Sequence, residues 1–597
     1  MDKQDENQIL LRHSTAHIMA QAVLELFPEA KLGIGPAIED GFYYDFELPR
    51  ALVPEDLPVI ESRMREVIES KYPFVRSELS IEEARSRFAD QPFKVELIDA
   101  LARGEMGEHG EAGAQPATQV STYQDGTFVD LCRGPHIANT GLVPLDAFKL
   151  LSIAGAYWRG NEKNPQLTRI YGTVWPSKAQ LDEYLWKLEE AKKRDHRKLG
   201  RELGLFVFSD DIGPGLPLFT PKGEMLRYLM ESYVRERQTK FGYQHVWTGH
   251  LVKEDLYKKS GHYENYIDSM FPPMMDEDLV MRLKPMNCPS HMVLFKEMGR
   301  HSYRELPLRF AEFATLYRYE KRGELTGLTR VRSLTQDDCH VFCTEDQIGS
   351  EFTLALHLIR EILDTYNFKD YRVRLSLRGE QGKYVQDDEK WDKATRALKS
   401  ALDANGVDYF VAEGEAAFYG PKADFIAKDV LGREWQLSTI QVDFIQPARL
   451  GVEYIAEDGQ PRTPVLIHRA VTGSTERFLG VIIEQFAGAF PVWLSPIQAM
   501  VVPIADRHLP YAESVAKRLK DDDIRVEVDT RAERMNAKIR DATMQKIPYI
   551  LVVGDKEAAA GAVSVRLRTG QDLKSMPLSQ FISLVHDKVS TKSQELQ

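Results

Sequence analysis

Between Phe313 and Phe342 the sequence commits the chain to an antiparallel hairpin with a long charged loop. Strand side chains repeat every two residues. The pattern therefore predicts Arg318 and Glu320 on one face of the first strand. Gln336, Asp338 and His340 share one face of the returning strand, with Arg330 and Arg332 further back along it. The loop Lys321–Gly327 is flexible and partly basic. So many polar groups on one face are costly to bury without partners. A working surface accounts for them better than a core or a solvated edge.

A second strand is predicted over Pro464–Ala470, then a turn at Gly473-Ser474 and an apolar helix from Phe478 to Phe486. Ser474 is a plausible N-cap, which puts Arg477 in the first helical turn. The helix dipole disfavours a cation there, so an Arg at that position suits an anion such as phosphate. Cys288, His340 and His468 lie far apart, and their spacing alone carries no zinc signature. The local trio Cys339, His340 and Cys343 is not a site, because Cys339 points away from the His340 face. Near the N-terminus, His13 and His17 stand four apart on one helix face, and the segment Asp130–His136 adds Cys132 and a third histidine, His136. Spacing by itself reads these two pairs as a zinc tetrad.

At 597 residues the chain is long enough for several domains. Four regions separate: a mixed segment 1–175, a Lys/Glu/Leu-dense connector helix over 176–206, a large block 207–490, and a small α/β unit with parallel strands over 491–597. A stretch around 104–118 reads as a surface insertion. Four cysteines are too few for a disulfide scaffold and fit a reducing compartment. The polar N-terminus shows no signal peptide, and no apolar run approaches the ~20 residues of a bilayer span. The expected location is the cytoplasm, with no membrane partner.

Arg318-Tyr319-Glu320 and Gly473-Ser474-Thr475-Glu476-Arg477 resemble motifs 2 and 3 of the class II aminoacyl-tRNA synthetases. Met286-Asn287-Cys288-Pro289, Gln336-Asp337-Asp338-Cys339-His340 and Ile467-His468-Arg469-Ala470 together resemble the threonyl-tRNA synthetase family. The resemblance covers essentially the whole chain. It implies a multidomain α+β and α/β protein: an N-terminal α+β editing domain, a connector, a class II antiparallel-sheet catalytic core and a C-terminal α/β anticodon-binding domain.

Carried over by residue, it implies one Zn²⁺ on Cys288, His340 and His468. Threonine would be bound by Gln336, Asp338, Tyr419 and Gln441. ATP would be bound by Arg318, Glu320, Arg330, Gln436, Ser474 and Arg477, with Mg²⁺ held in part by Glu434. Arg318 and Arg477 would be catalytic, and His262 a base for transfer to tRNA(Thr). A homodimer is expected. Seryl-tRNA would be hydrolysed by His13, His17, Lys94, Asp130, Cys132 and His136. In this family that pocket is metal-free, against the spacing. Glu557 and Arg566 would read the anticodon.

The sequence departs from the family pattern in four places. Gly249 replaces a motif 1 proline, and Leu334 replaces the aromatic residue that stacks on adenine. Ala532 replaces an anticodon-domain Asn, and with His13 so near the start the small ubiquitin-like domain that usually precedes the editing domain is expected to be absent. The alternatives are a prolyl or seryl enzyme, a catalytically weakened synthetase paralogue with a regulatory or RNA-binding role, and a free-standing metallohydrolase. The prolyl and seryl readings leave the Cys288/His340/His468 trio unexplained, and paralogues usually lose the motif arginines. A metallohydrolase would not need the residues from 176 onward. A net charge of -13 does not exclude RNA, since binding depends on where cations sit. Residues 495–597 hold 16 Lys+Arg against 14 Asp+Glu, so the acidity lies elsewhere.

Overall fold

The computed structural model describes residues 3–105, 115–380 and 382–597. Residues 106–114 of the expected insertion lie outside the described residues. The chain forms two compact units, Met1–Glu189 and Glu190–Gln597. Among the described residues no helix is long and apolar enough to cross a membrane.

The first unit opens with α1 (Lys3–Leu26) and continues through β1 (Gly41–Glu47), α2 (Asp56–Glu69), β2 (Val75–Ser80), α3 (Pro92–Ala102), β3 (Gln119–Asp125), β4 (Phe128–Leu131), β5 (Phe148–Tyr157) and β6 (Gln166–Val174). Antiparallel β1, β6 and β5 form one sheet, and β2, β3 and β4 a second. Ile18, Met19, Ala22 and Val23 repeat at helical spacing and are fully buried against Phe42, Tyr44 and Phe46 of β1. That stripe holds α1 in place, at about 1.5–3 kcal/mol per large side chain buried.

The expected connector is two helices. The first, α4, spans Lys178–Arg194, and α5 spans His196–Glu202. Asp195 divides them, because its carboxylate accepts the Arg197 N–H at 2.8 Å and caps α5 from a non-helical backbone.

The second unit is built on an eight-stranded sheet. Its members are β7 (Gln244–His245), β8 (Leu308–Tyr317), β9 (Ser333–Cys343), β10 (Tyr371–Leu377), β11 (Tyr409–Glu413), β12 (Lys422–Lys428), β13 (Glu434–Asp443) and β14 (Val465–Ala470). In space they run β7-β8-β9-β14-β13-β12-β10-β11. The inner pairs are antiparallel, and the two edge pairs are parallel. Helices α6 (Pro221–Lys240), α9 (Ile348–Thr365) and α10 (Thr475–Gln485) contribute Met230, Phe352, Ile359, Phe478 and Ile482 to its main apolar core. Two shorter helices, α7 (His262–Tyr266) and α8 (Cys288–Glu297), also belong to this unit.

The hairpin is shorter at its loop end than the alternation predicts. Its strands stop at Tyr317 and begin again at Ser333. Arg318, Glu320, Arg330 and Arg332 therefore lie in the connection rather than on strand faces. Arg332 explains part of this, since its guanidinium turns back onto the Glu320 carbonyl at 2.8 Å and 3.0 Å.

The C-terminal sheet contains β15 (Ala499–Pro503), β16 (Val526–Val528), β17 (Tyr549–Val553), β18 (Ala562–Leu567) and β19 (Asp572–Pro577). The first three are parallel, as expected. The last two add an antiparallel hairpin, so the sheet is mixed. It packs on the core through Arg568, whose guanidinium donates to the carbonyls of Ala489 at 2.7 Å and Phe490 at 2.6 Å.

One buried acid gives the first unit a pH signature. Asp125 is fully buried and neither carboxylate oxygen has a hydrogen-bond partner. Burial, with the charges of Asp130 and Glu25, pushes its pKa up to about 7. The unfolded chain releases this proton near pH ~4, so stability falls between that pH and about 7, by up to ~1.4 kcal/mol per pH unit. Asp125→Asn should raise the melting midpoint at pH 8 and lose its advantage at pH 4. An equal effect at both pH values would discard this account.

Candidate functional site

Strand register assembles the site in the second unit. Residues directly opposite one another in an antiparallel pair share a face. His340 lies opposite Phe310 on one side and His468 on the other, and His468 lies opposite Gln441. Asp338 lies opposite Glu312 and Gln336 opposite Ala314. Gln336, Asp338, His340, His468 and Gln441 therefore occupy one face; alternation predicts the first three, and the register adds His468 and Gln441.

Cys288, at the start of α8, brings its thiol to this face, and the donor atoms of Cys288, His340 and His468 lie within 4.8 Å of one another. The inner nitrogens, His340 Nε2 and His468 Nδ1, face each other at 3.1 Å. Each outer nitrogen is engaged: His340 Nδ1 lies 2.8 Å from His291 Nδ1, and His468 Nε2 lies 3.0 Å from Asp443. Burial drives the His340 pKa well down and the Cys288 pKa well up. One thiol and two imidazoles oriented by outer partners form a donor set suited to a zinc-class ion.

The surrounding residues fix this face. His291 Nε2 and Asn287 Nδ2 lie 3.0 Å and 2.9 Å from Glu312 Oε2. Burial alone would raise the Glu312 carboxyl. His291, Asn287, the Thr248 N–H and the Lys284 charge instead hold it at about 2. Burial raises Asp338 to about 6 against the pull of His291 and His468. The Tyr419 hydroxyl donates to Gln441 Oε1 at 2.6 Å, and its ring stacks on His468 at 4.9 Å. His262 is fully buried, with Nδ1 2.8 Å from Ser260 Oγ and Nε2 3.4 Å from Cys288 Sγ. Burial, with His468 and Arg449 nearby, lowers it to about 3.

Beside this face a cavity is lined by Arg318, Glu320, Arg330, Gln436, Ser474 and Arg477, with Gln336 and Leu334. Ser474 caps α10, accepting the Arg477 N–H at 3.2 Å. Burial, then the nearby charges of Arg318 and Arg330, lower the Arg477 pKa, with Glu320 only partly opposing. Three guanidinium groups converging on one cavity form a strong anion site. Arg330 bonds Glu320 at 2.8 Å, and Gln436 donates to Asp424 at 2.8 Å. Glu434 stands apart from this cavity and accepts from Arg372 at 2.7 Å.

The opposite face of β9 carries a buried network. Asp337 accepts the N–H groups of Val471 at 2.9 Å and Thr472 at 3.2 Å, and its own N–H donates to the Gly473 carbonyl at 3.0 Å. Gln238 and Arg469 reach the same carboxylate at 2.5 Å and 3.5 Å. Asp337 thereby shapes the turn that presents Ser474 and Arg477.

The first unit holds a separate pocket. His13, His17, Cys132 and His136 bring their donor atoms within 4.8 Å of one another. Cys132 Sγ lies 3.3 Å from both His13 Nε2 and His136 Nε2, and His136 Nδ1 lies 3.0 Å from Ser14 Oγ. Burial lowers all three histidines, so each is a neutral imidazole near pH 7. Burial and Asp130 push the Cys132 thiol up to about 12. Asp130 is clamped by Lys94 at 2.6 Å and the Tyr44 hydroxyl at 2.5 Å, with His17 at 3.7 Å.

In the C-terminal sheet, Glu557 accepts the Gly554 N–H at 3.0 Å, capping the helix Asp555–Ala560, and Arg566 sits half-buried on β18.

Sequence reasoning missed several members. His291 stands three residues after Cys288 on one helix, and Asp443 two residues after Gln441 on one strand, so spacing could have found both. Tyr44, Glu312 and Asp337 carried no such signal, because long-range pairing alone places them.

Residues 274–486 match the family described as the tRNA synthetase class II core domain (G, H, P, S and T). Residues 498–588 match the anticodon binding domain, and 120–171 the threonyl and alanyl tRNA synthetase second additional domain. A threonine–tRNA ligase of Rubrobacter xylanophilus is 62% identical over 98% of this chain and 90% of its own length. One of Thermus thermophilus is 50% identical over 97% of this chain and 88% of its own. The crystal structure of the RNA binding domain of a Cryptosporidium parvum threonyl-tRNA synthetase superposes with a TM-score of 0.63 at 39% identity. It covers 66% of this chain and 98% of its own.

Removing Asp337 should strand the buried Arg469 charge. Asp337→Ala is expected to cost about 3–5 kcal/mol in a chemical-denaturation midpoint. A loss below ~1 kcal/mol would remove its structural role.

Proposed function

The chain belongs to the threonyl-tRNA synthetase family of class II aminoacyl-tRNA synthetases, and from that membership we propose how its residues divide the work. Its activity is that of a threonine–tRNA ligase. ATP and threonine condense to threonyl-adenylate with release of pyrophosphate, and the threonyl group then passes to a ribose hydroxyl of tRNA(Thr).

The observation that carries the activation site is the convergence of Arg318, Arg330 and Arg477 on one cavity beside the polar face. Arg318 grips the α-phosphate and the substrate carboxylate, and Arg477 and Arg330 hold the remaining phosphates. Glu320 accepts from the adenine amino group. Gln436 and Ser474 contact the nucleotide, and Mg²⁺ bound with the phosphates would supply further charge neutralisation, while Glu434, paired with Arg372 outside the cavity, would have to leave that partner to act as a ligand. The attacking carboxylate displaces pyrophosphate in line, so catalysis is mainly positioning and charge neutralisation. Leu334 lines the same cavity and packs with Ala314, Leu316 and Val331, leaving adenine no aromatic ring to stack on.

Cys288, His340 and His468 hold one zinc ion, a reading supported by their donor chemistry and by the outer partners His291 and Asp443. Zinc bound there supplies a Lewis-acidic position that adjacent amino and hydroxyl groups can fill and valine cannot. Asp338 receives the substrate ammonium and hydroxyl, while Gln336, Tyr419 and Gln441 enclose the side chain. His262, buried against Cys288, serves transfer to tRNA.

Serine differs from threonine only by a methyl group, worth ~1–3 kcal/mol, so this pocket cannot exclude it. The N-terminal pocket provides the second sieve. His13, His17 and His136 are neutral and can accept a proton from water; Asp130, held by Lys94 and Tyr44, faces His17, and Ser14 orients His136. Water attacks the seryl ester carbonyl, the ribose hydroxyl leaves, and the imidazole returns the proton to it. We read this pocket as working without metal. Glu557 and Arg566 contact the anticodon. The exposed Trp247, beside Thr248 and Gly249, belongs to a homodimer interface. Four free cysteines fit a cytoplasmic enzyme. No observation favours the weakened-paralogue reading, since both motif arginines line the cavity.

Pyrophosphate exchange should proceed with threonine and serine but not valine, and should be lost on zinc chelation and in Cys288→Ala. Exchange insensitive to chelation would remove the zinc assignment. His13→Ala should leave exchange intact and accumulate seryl-tRNA, read by acid-gel separation of charged tRNA. An unchanged serine error would end the editing claim.

A further inference from the structure

His196, the first residue of α5, lies outside every motif above, yet its ring is buried between two elements of the activation site. Nδ1 stands 2.7 Å from Glu484 Oε1, which also accepts the His196 backbone N–H at 3.0 Å. Nε2 accepts the N–H of Leu328 at 3.0 Å. An amide can only donate, so the ring proton sits on Nδ1 and is given to Glu484. Only the neutral imidazole makes both bonds. This also argues against a metal on the nearby Asp195, His196 and Glu484, whose donors lie within 4.8 Å of one another. Both ring nitrogens are already engaged, and the other Glu484 oxygen pairs with Arg433 at 2.6 Å.

Glu484 lies on α10, the helix whose first turn carries Arg477. Leu328 lies in the connection between β8 and β9, two residues before Arg330. The loop is therefore held from α10 twice: by Arg477 Nε, which donates to the Thr329 carbonyl at 3.2 Å, and by Glu484 through His196. The Arg330 side chain is 46% exposed and its ion pairs are with Glu320 and Glu324 of the same connection. Those pairs move with the loop and do not fix it. The Leu328 anchor does, because Leu328 is fully buried in the main core. The chain also comes very close to the ring at Gly327. Its φ is +47°, and a Cβ there would lie 2.2 Å from His196 Nε2. Glycine permits both the backbone shape and the approach. The α4–α5 junction is tied down in turn by Arg194, which donates to the carbonyls of Glu484 at 3.4 Å and Gln485 at 3.2 Å, at the end of α10.

We propose that His196 is a positioning residue for nucleotide binding: it couples the connector to the β8–β9 loop and sets Arg330 and Thr329 against the nucleotide cavity. The proposal rests on the reading of that cavity as the ATP site.

The two ring nitrogens can be separated by substitution. In H196Q the side-chain carbonyl reaches toward Leu328 as Nε2 does, whereas H196N retains only a donor near Glu484. Pyrophosphate exchange is measured for the full chain against ATP and against threonine, with melting midpoints alongside. H196N and His196→Ala should raise the KM for ATP about tenfold, the effect of one lost buried hydrogen bond. The KM for threonine should stay within about twofold, and H196Q should recover most of the ATP defect. Gly327→Ala, which displaces the ring without altering it, should raise the ATP KM in the same direction. A purely structural histidine would treat H196N and H196Q alike, and that result overturns the proposal. So does an unchanged ATP KM in H196N and Gly327→Ala while Arg330→Ala raises it. If Arg330→Ala leaves the ATP KM unchanged, the ATP-site reading fails and this proposal with it. If His196→Ala does not fold, the H196N, H196Q and Gly327→Ala set decides.

Discussion

The antiparallel register of β8, β9, β14 and β13 is the constraint on which the candidate site of the second unit depends. Because facing residues share a side, one register places Gln336, Asp338, His340, His468 and Gln441 together. A slip of one residue on β9 would turn Gln336, Asp338 and His340 into the core and bring Asp337 and Cys339 to the front face. Neither face tolerates the exchange. The reverse face is closed by a charged network with Asp337 at its centre, and the front face by Glu312 with its cluster of donors. The polar groups that make the site thus also make the register expensive to lose.

Both faces converge on the same short turn. Asp337 holds Val471 to Gly473 from behind, and Ser474 then caps the helix that carries Arg477. Further along that helix Glu484 meets His196, and the connector is drawn into the arrangement. Cations and anions alternate along this path. Only at the cavity do three guanidinium groups gather with too little opposing charge. That local imbalance makes the cavity an anion site in a chain of net charge -13.

The first unit applies different physics to a similar set of side chains. Both clusters join histidines to a cysteine. In the second unit the outer nitrogens of His340 and His468 are bound, so the inner ones converge as donors. In the first, His136 is tied to Ser14 and Asp130 is clamped by Lys94 and Tyr44, and burial leaves neutral imidazoles around a thiol. Spacing alone assigned metal to the N-terminal set and none to the central one. Spacing is blind to the central set because its members come from distant segments, although the donor atoms of both sets lie within 4.8 Å of one another.

The sequence by itself determined the alternation that puts Gln336, Asp338 and His340 on one face, and the Ser474 cap with Arg477 behind it. These follow from periodicity and capping, which act over a few residues. Even there its reach had limits. It extended the hairpin strands past Tyr317, ran one helix through Asp195, and missed the antiparallel pair β18 and β19. Only the tertiary structure decided which strand lies beside which, and so that Cys288 meets His340 and His468, that Tyr44 clamps Asp130 and that His196 grips Leu328. These partners are separated by tens to hundreds of residues. Their contacts are set by burial and pairing across the whole fold, which no local pattern encodes.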